Sequence, residues 1–188
     1  MESPFFFIVK PLNGERYNNT KDIAGVEFIV NSSEEDYKFS NRQAVVLETP
    51  RGYTGPIEPG DILLVHHNVF KFYNDMKGRR KSGRSFFKDD VFLIDPEQFF
   101  LFKKGDTWYA YDRYCFVAPV PTTEYFIDKP FTYEPLVGTM IYPNDYLKSQ
   151  GIKPGDLVAF APDSEYEFNV DGQLLYRVYD HQITLKLA

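Results

Sequence analysis

The pattern Ile-x-Pro-Gly-Asp followed by an apolar strand is spelled twice, as IEPGDILLV at 57–65 and as IKPGDLVAF at 152–160, 95 residues apart. One Pro-Gly-Asp turn is ordinary punctuation between strands. Two constrain the whole chain once the sequence around them also matches. Downstream, VFLIDPEQFFLFK at 91–103 lies on LYRVYDHQITLKL at 175–187, with Gln98 on Gln182 at an offset of 84. The shortfall of eleven equals the segment NDMKGRRKSGR at 74–84, which is glycine-containing, basic and without apolar periodicity, and reads as a hairpin tip or loop inserted in the first copy. Upstream, PFFFIVKPL at 4–12 matches RYCFVAPVP at 113–121, and NRQAVVLETP at 41–50 matches YEPLVGTMIYP at 133–143. Four anchors in one order predict a tandem duplication, with domains at 1–104 and 105–188.

Each copy is expected to be all-β. Aromatic residues make up 18% of the chain (18 Phe, 14 Tyr, 1 Trp), a composition suited to half-buried pleated surfaces and far from the disordered range. Alternation in Val91-Phe92-Leu93-Ile94 and in Gln182–Leu187 fits antiparallel strands with one face on a core. No helix longer than a turn is predicted. Two small closed β-barrels follow, because closure removes the edges that an all-β domain must otherwise protect.

The formal charge of −6 argues against a general nucleic-acid binder, which needs a concentrated positive surface. Cys115 is the single cysteine, so no intramolecular disulfide forms and a reducing cytoplasm is expected. The start MESPFFFIVKPL has neither the basic leader of a signal peptide nor an apolar stretch long enough to span a membrane.

The order of the anchors resembles the GroES co-chaperonin family. DRYCFVAPV resembles that family's opening strand, and GIKPGDLVAFAPDSEYEFNVDGQLLYRVYDHQITLKL its central and closing strands. In the first copy FIVKPL and IEPGDILLV resemble the opening and central strands. The resemblance implies two tandem GroES-like small β-barrels forming a non-enzymatic cap for a GroEL-type chaperonin. The partner would hydrolyse the ATP, the cap would need no cofactor, and the chains would assemble as a homo-oligomeric ring. The short segments ETPRGYTGP and YPNDYLKSQG, where the family carries a roof hairpin, resemble open-roofed bacteriophage co-chaperonins and imply a host cytoplasm if the chain is phage-encoded.

The family's mobile loop corresponds to about 13–40, and the resemblance assigns chaperonin docking to Val26, Phe28, Ile29 and Val30. Glu27 interrupts that apolar group and only one glycine of the family's pair remains. The other reading of Val26 to Val30 is a plain strand with Val26, Phe28 and Val30 on its buried face. PTTEYFIDKPFTYE in the second copy is short and lacks glycine, so no docking loop is expected there. The alternative function is a structural or assembly protein, of a virion or an adaptor, that reuses the barrel without binding a chaperonin.

Lys77, Arg79, Arg80, Lys81 and Arg84 form a basic patch in the insert, read either as a solvated tip or as a contact for an acidic partner or nucleic acid. No aromatic residue interleaves the run, as single-strand binding would favour. His66 and His67 are adjacent and on one strand would point to opposite faces, so with His181 as the only other histidine no metal site is expected. Cys115, between Tyr114 and Phe116, reads as a buried structural thiol. No phosphate loop, paired-cysteine motif or nucleophile elbow suggests an enzyme.

Overall fold

The computed structural model describes residues 1–17, 20–23, 26–29, 40–122 and 133–187, with 20–23 and 26–29 described by their backbone pairing. The chain is all-β and divides into two compact units, Met1–Thr107 and Trp108–Ala188. The first unit contains β1 (Phe7–Pro11), β2 (Thr20–Ile23), β3 (Val26–Ile29), β4 (Gln43–Glu48), β5 (Ile62–Val65), β6 (Phe72–Asn74), β7 (Arg80–Ser82), β8 (Phe86–Lys88), β9 (Val91–Ile94) and β10 (Phe99–Lys104). Strand β11 (Thr107–Ala110) crosses the boundary. The second contains β12 (Tyr114–Pro121), β13 (Tyr133–Tyr142), a one-turn helix α1 (Asp145–Ser149), β14 (Leu157–Phe160), β15 (Tyr166–Val170), β16 (Gln173–Tyr179) and β17 (Ile183–Lys186). No helix among the described residues is long and apolar enough to cross a membrane.

Leaving aside β11, the first unit's main sheet has the order β10-β5-β4-β1-β9-β8, and the second unit's sheet has the order β17-β14-β13-β12-β16-β15. Taken in chain order, these are the same arrangement. The registers agree residue by residue: Val9, Lys10 and Pro11 face Val46, Val45 and Ala44, as Val117, Ala118 and Pro119 face Met140, Thr139 and Gly138. Phe7, Ile8 and Val9 face Ile94, Leu93 and Phe92, as Cys115, Phe116 and Val117 face Val178, Arg177 and Tyr176. One irregularity recurs as well, a register shift between Ile8 and Val9 in one unit and between Phe116 and Val117 in the other.

The recurrent Pro-Gly-Asp has a physical reason. In the first copy the Asp61 carboxylate accepts from Glu58 N (2.9 Å), Gly60 takes φ 97°, and Gly60 N donates to the Val46 carbonyl (2.8 Å). In the second, Asp156 accepts from Lys153 N (2.8 Å), Gly155 takes φ 91°, and its N–H donates to Met140 O (2.8 Å). Proline presets the turn, glycine alone enters the left-handed region without a Cβ clash, and the aspartate satisfies the turn's opening N–H. Hydrogen bonds that it accepts from the Lys186 side chain and from Lys153 N hold the Asp156 carboxyl below its usual range. Gln98 and Gln182 recur for a similar reason: their side-chain oxygens accept from Asp95 N (3.2 Å) and Tyr179 N (3.0 Å), closing the turns that lead into β10 and β17.

The expected closure into barrels is not what the described strands form: both sheets are open. One end strand of each sheet is short and lysine-bearing, three residues for β8 with Lys88 and four for β17 with Lys186, which is one way an unclosed edge is kept from pairing indiscriminately. The first core is aromatic, with Phe7 edge-on to Phe99 (5.2 Å) and Phe70 edge-on to Phe92 (4.8 Å), all fully buried. The second gathers Cys115, Val117, Met140, Leu147, Val158, Phe160 and Val178. There α1 inserts Leu147, and the buried Asn144 caps it by accepting from Leu147 N (2.9 Å) while donating to Asp112 O (2.9 Å) and Asp180 Oδ2 (3.0 Å).

Candidate functional site: two hairpins on the first unit

The long connection between β1 and β4 leaves the sheet through a defined neck. Tyr17 and Ser40 form an antiparallel bridge, Asn41 N donates to Arg16 O (2.9 Å), and the Asn41 side-chain amide donates to the carbonyls of Leu12 (3.1 Å) and Glu15 (2.7 Å). Ser40 Oγ donates to His67 O (2.8 Å), tying the neck to the turn after β5. Beyond the neck, β2 and β3 pair as a two-stranded sheet of their own, Thr20 facing Ile29, Lys21 facing Phe28, Asp22 facing Glu27 and Ile23 facing Val26. Of the expected docking residues, Val26, Phe28 and Ile29 therefore lie on β3, while Val30 lies outside the described residues.

The basic insert is a hairpin. Strands β6 and β7 pair Phe72 with Ser82, Tyr73 with Lys81 and Asn74 with Arg80. Its tip closes because Asp75 Oδ1 accepts from Lys77 N and Arg79 N (both 2.9 Å) and Gly78 takes φ 71°. Lys77, Arg79, Arg80 and Lys81 lie on this hairpin and, like Arg84 two residues beyond β7, are exposed. Arg79 Nε lies 3.6 Å from Asp75 and Arg84 Nη2 lies 3.9 Å from Asp95, while the Arg80 guanidinium covers the Phe72 ring at 3.8 Å.

Sequence reasoning did not single out what fastens the neck to the basic hairpin. The nearly buried guanidinium of Arg16 lies 4.3, 4.8 and 4.8 Å from the ring centres of Phe72, Phe86 and Phe92. It donates to Ser82 Oγ (3.0 Å) on β7 and to Asp90 Oδ1 (3.1 Å) beyond β8. Its neighbour Tyr17 stacks on Phe72 (6.0 Å) and accepts through its hydroxyl from Phe72 N (2.8 Å). Arg16-Tyr17 thus roots both the neck and the basic hairpin; the legible signal was their place between the opening strand and the polar segment. Arg16→Lys keeps the charge but loses the planar fork. It is expected to cost about 1–2 kcal/mol and to speed hydrogen exchange at the amides of 72–74 and 80–82. Unchanged exchange there would show that the wedge does not hold the hairpin.

His66 and His67 correct the expectation that they point apart. Strand β5 ends at Val65, the following residues turn, with Val69 N donating to His66 O (3.0 Å), and the two rings lie 4.2 Å apart. Burial, followed by His66, Arg42 and Lys71, pulls His67 down to about 4. Among the described residues no group of three His, Cys, Asp or Glu side chains could hold a metal ion. Cys115 donates from Sγ to Val178 O (3.5 Å) inside the second core, and burial pushes its thiol up to about 12, away from the thiolate a nucleophile requires. No family model, curated protein or solved structure matches this chain.

Proposed function

We propose that this chain is a non-enzymatic, co-chaperonin-like cap for a GroEL-type chaperonin, built from two tandem GroES-like units and docking through the segment that contains Val26, Phe28, Ile29 and Val30. The observation that supports this reading is the doubled strand order with matching registers, combined with one long excursion at the same topological place in the first unit alone: β1 to β4 spans 12–42, whereas β12 to β13 spans 122–132. In this reading apolar residues of the excursion enter a groove on the chaperonin, and ring assembly supplies the avidity. Ordering about ten residues costs on the order of 10 kcal/mol, so a single contact is weak and release after ATP hydrolysis by the partner is easy. Several loops on one ring offset that cost through effective concentration.

The test is co-elution of the purified protein with a bacterial chaperonin and ATP, together with refolding of a stringent substrate. Wild type is expected to co-elute and to support refolding, and Ile29→Asp to lose both. A wild type that never co-elutes overturns the reading. The second reading, a structural or assembly protein, is favoured by one observation: β2 and β3 pair their backbones with each other, as a fixed contact element would. It predicts that the free protein resists proteolysis near Lys21, where a cap is cleaved early.

A further inference from the structure

The chain's charge is segregated. Residues 71–88 hold seven Lys or Arg and one Asp, leaving 14 basic against 26 acidic residues elsewhere, so a strongly positive hairpin belongs to a molecule that is otherwise strongly negative. Arg16 packs against one face of that hairpin, the face of Phe72 and Ser82. Strand alternation places Tyr73 and its cross-strand partner Lys81 on the other face, with Arg79 two residues before Lys81. Tyr73 is 52% exposed, Met76 at the tip is fully exposed, and Arg79 and Lys81 are exposed.

An acidic counterpart exists on the second unit. Strand β15 ends its sheet. Phe168 and Val170 point into the core, while Glu165 and Glu167 stand exposed on the alternate face, with exposed Asp163 preceding them. Glu165 Oε2 accepts from Ser164 N (3.0 Å). Both carboxylates raise the phenol pKa of Tyr176 after burial itself, which places their negative field on that face. Arg177, the neighbouring cation, is turned to the other side over Tyr114, Tyr166 and Tyr179. Arg79 immediately precedes β7 and Glu165 immediately precedes β15, so in each pair a step of two residues separates a pre-strand charge from one on the strand, a spacing of up to about 6.8 Å where the backbone is extended.

We infer that the β6–β7 hairpin of one copy docks on the acidic β15 edge of a second copy, with Arg79 and Lys81 against Glu165 and Glu167 and Tyr73 covering the contact. The occupant is another copy because complementary charge at matching spacing is present in every chain at equal concentration. The contact is head to tail, so it propagates into a ring or an open chain, and it holds whether the protein is a cap or an assembly component.

Sedimentation velocity over a range of concentrations tests it. Wild type at about 50 mM salt is expected to gain mass with concentration, and about 0.5 M salt to weaken the association at least about tenfold. R79E/K81E alone and E165K/E167K alone each face like charge with like and are expected to stay monomeric, with unchanged circular dichroism. An equimolar mixture of the two variants restores opposite charges at every contact and is expected to re-associate. Wild type that is monomeric at all concentrations, association that survives both reversals, or a mixture that stays monomeric overturns the inference. So does a monomeric wild type whose hairpin instead binds an oligonucleotide.

Discussion

Replacing Phe92 by alanine is expected to destabilise the protein by about 3–5 kcal/mol, the range for emptying a fully buried aromatic site. Phe92 is 0% exposed on β9, edge-on to Phe70 (4.8 Å) and Phe86 (5.5 Å), and one of the three rings under the Arg16 guanidinium. The loss combines apolar transfer, an unfilled cavity and the ring pairs themselves. Because single domains hold about 5–15 kcal/mol in total, the first unit is brought near its limit, and the basic hairpin loses part of its footing at the same time. Phe87→Ala, five residues earlier and 51% exposed, is the control, with an expected change within about 0.5 kcal/mol. Urea unfolding distinguishes them, and a Phe92→Ala loss no larger than that of Phe87→Ala would refute the packing described.

Gly138→Ala is expected to cost about 1–3 kcal/mol, as over-packing does, although it installs the residue that the equivalent position already carries. Ala44 faces Pro11 on β1 as Gly138 faces Pro119 on β12, and Ala44 is fully buried without difficulty. A Cβ at Gly138 would lie 2.9 Å from Val117 Cβ and 3.0 Å from both Val117 Cγ2 and the Ala118 carbonyl oxygen. A backbone oxygen in a paired strand cannot move aside cheaply. The reverse change, Ala44→Gly, is expected to be destabilising too, through the greater freedom of unfolded glycine and the lost methyl contact. Equal unfolding midpoints for wild type and Gly138→Ala would show that β12 and β13 separate more readily than the register implies.

These two sites show where sequence was informative. Turn chemistry was legible because Pro, Gly and Asp each have one physical task in the Pro-Gly-Asp turn, and the tasks recur wherever the turn does. The offsets of 95 and 84 held for the same reason: Gly60 and Gly155, then Gln98 and Gln182, occupy equivalent hydrogen-bonding positions, and the eleven-residue difference sits in the β6–β7 hairpin. What escaped was what long-range packing decides. Nothing in the apolar run through Val65 marks the turn at His66, since no Gly or Pro follows it. Arg16 is one cation among many until the fold brings Phe72, Phe86 and Phe92 around it. The need to protect edges does not by itself require closure, since at one end of each sheet a short strand bearing Lys88 or Lys186 meets it in another way.

The coincident shift in register, at Ile8/Val9 and again at Phe116/Val117, has a consequence for how this polypeptide refolds. A newly collapsed chain holds two opening strands that are geometrically interchangeable, each able to slot between the other's neighbours, which is the circumstance in which tandem repeats trade segments and become trapped. What distinguishes them is bulk: a phenyl ring at Phe7 must find the aromatic core around Phe99, whereas the equivalent Cys115 fits the tighter aliphatic pocket beside Met140 and Val178. Divergence between the repeats therefore acts as an address label, and making the halves more alike by substitution is expected to slow recovery from denaturant and to raise the yield of exchanged, aggregated species.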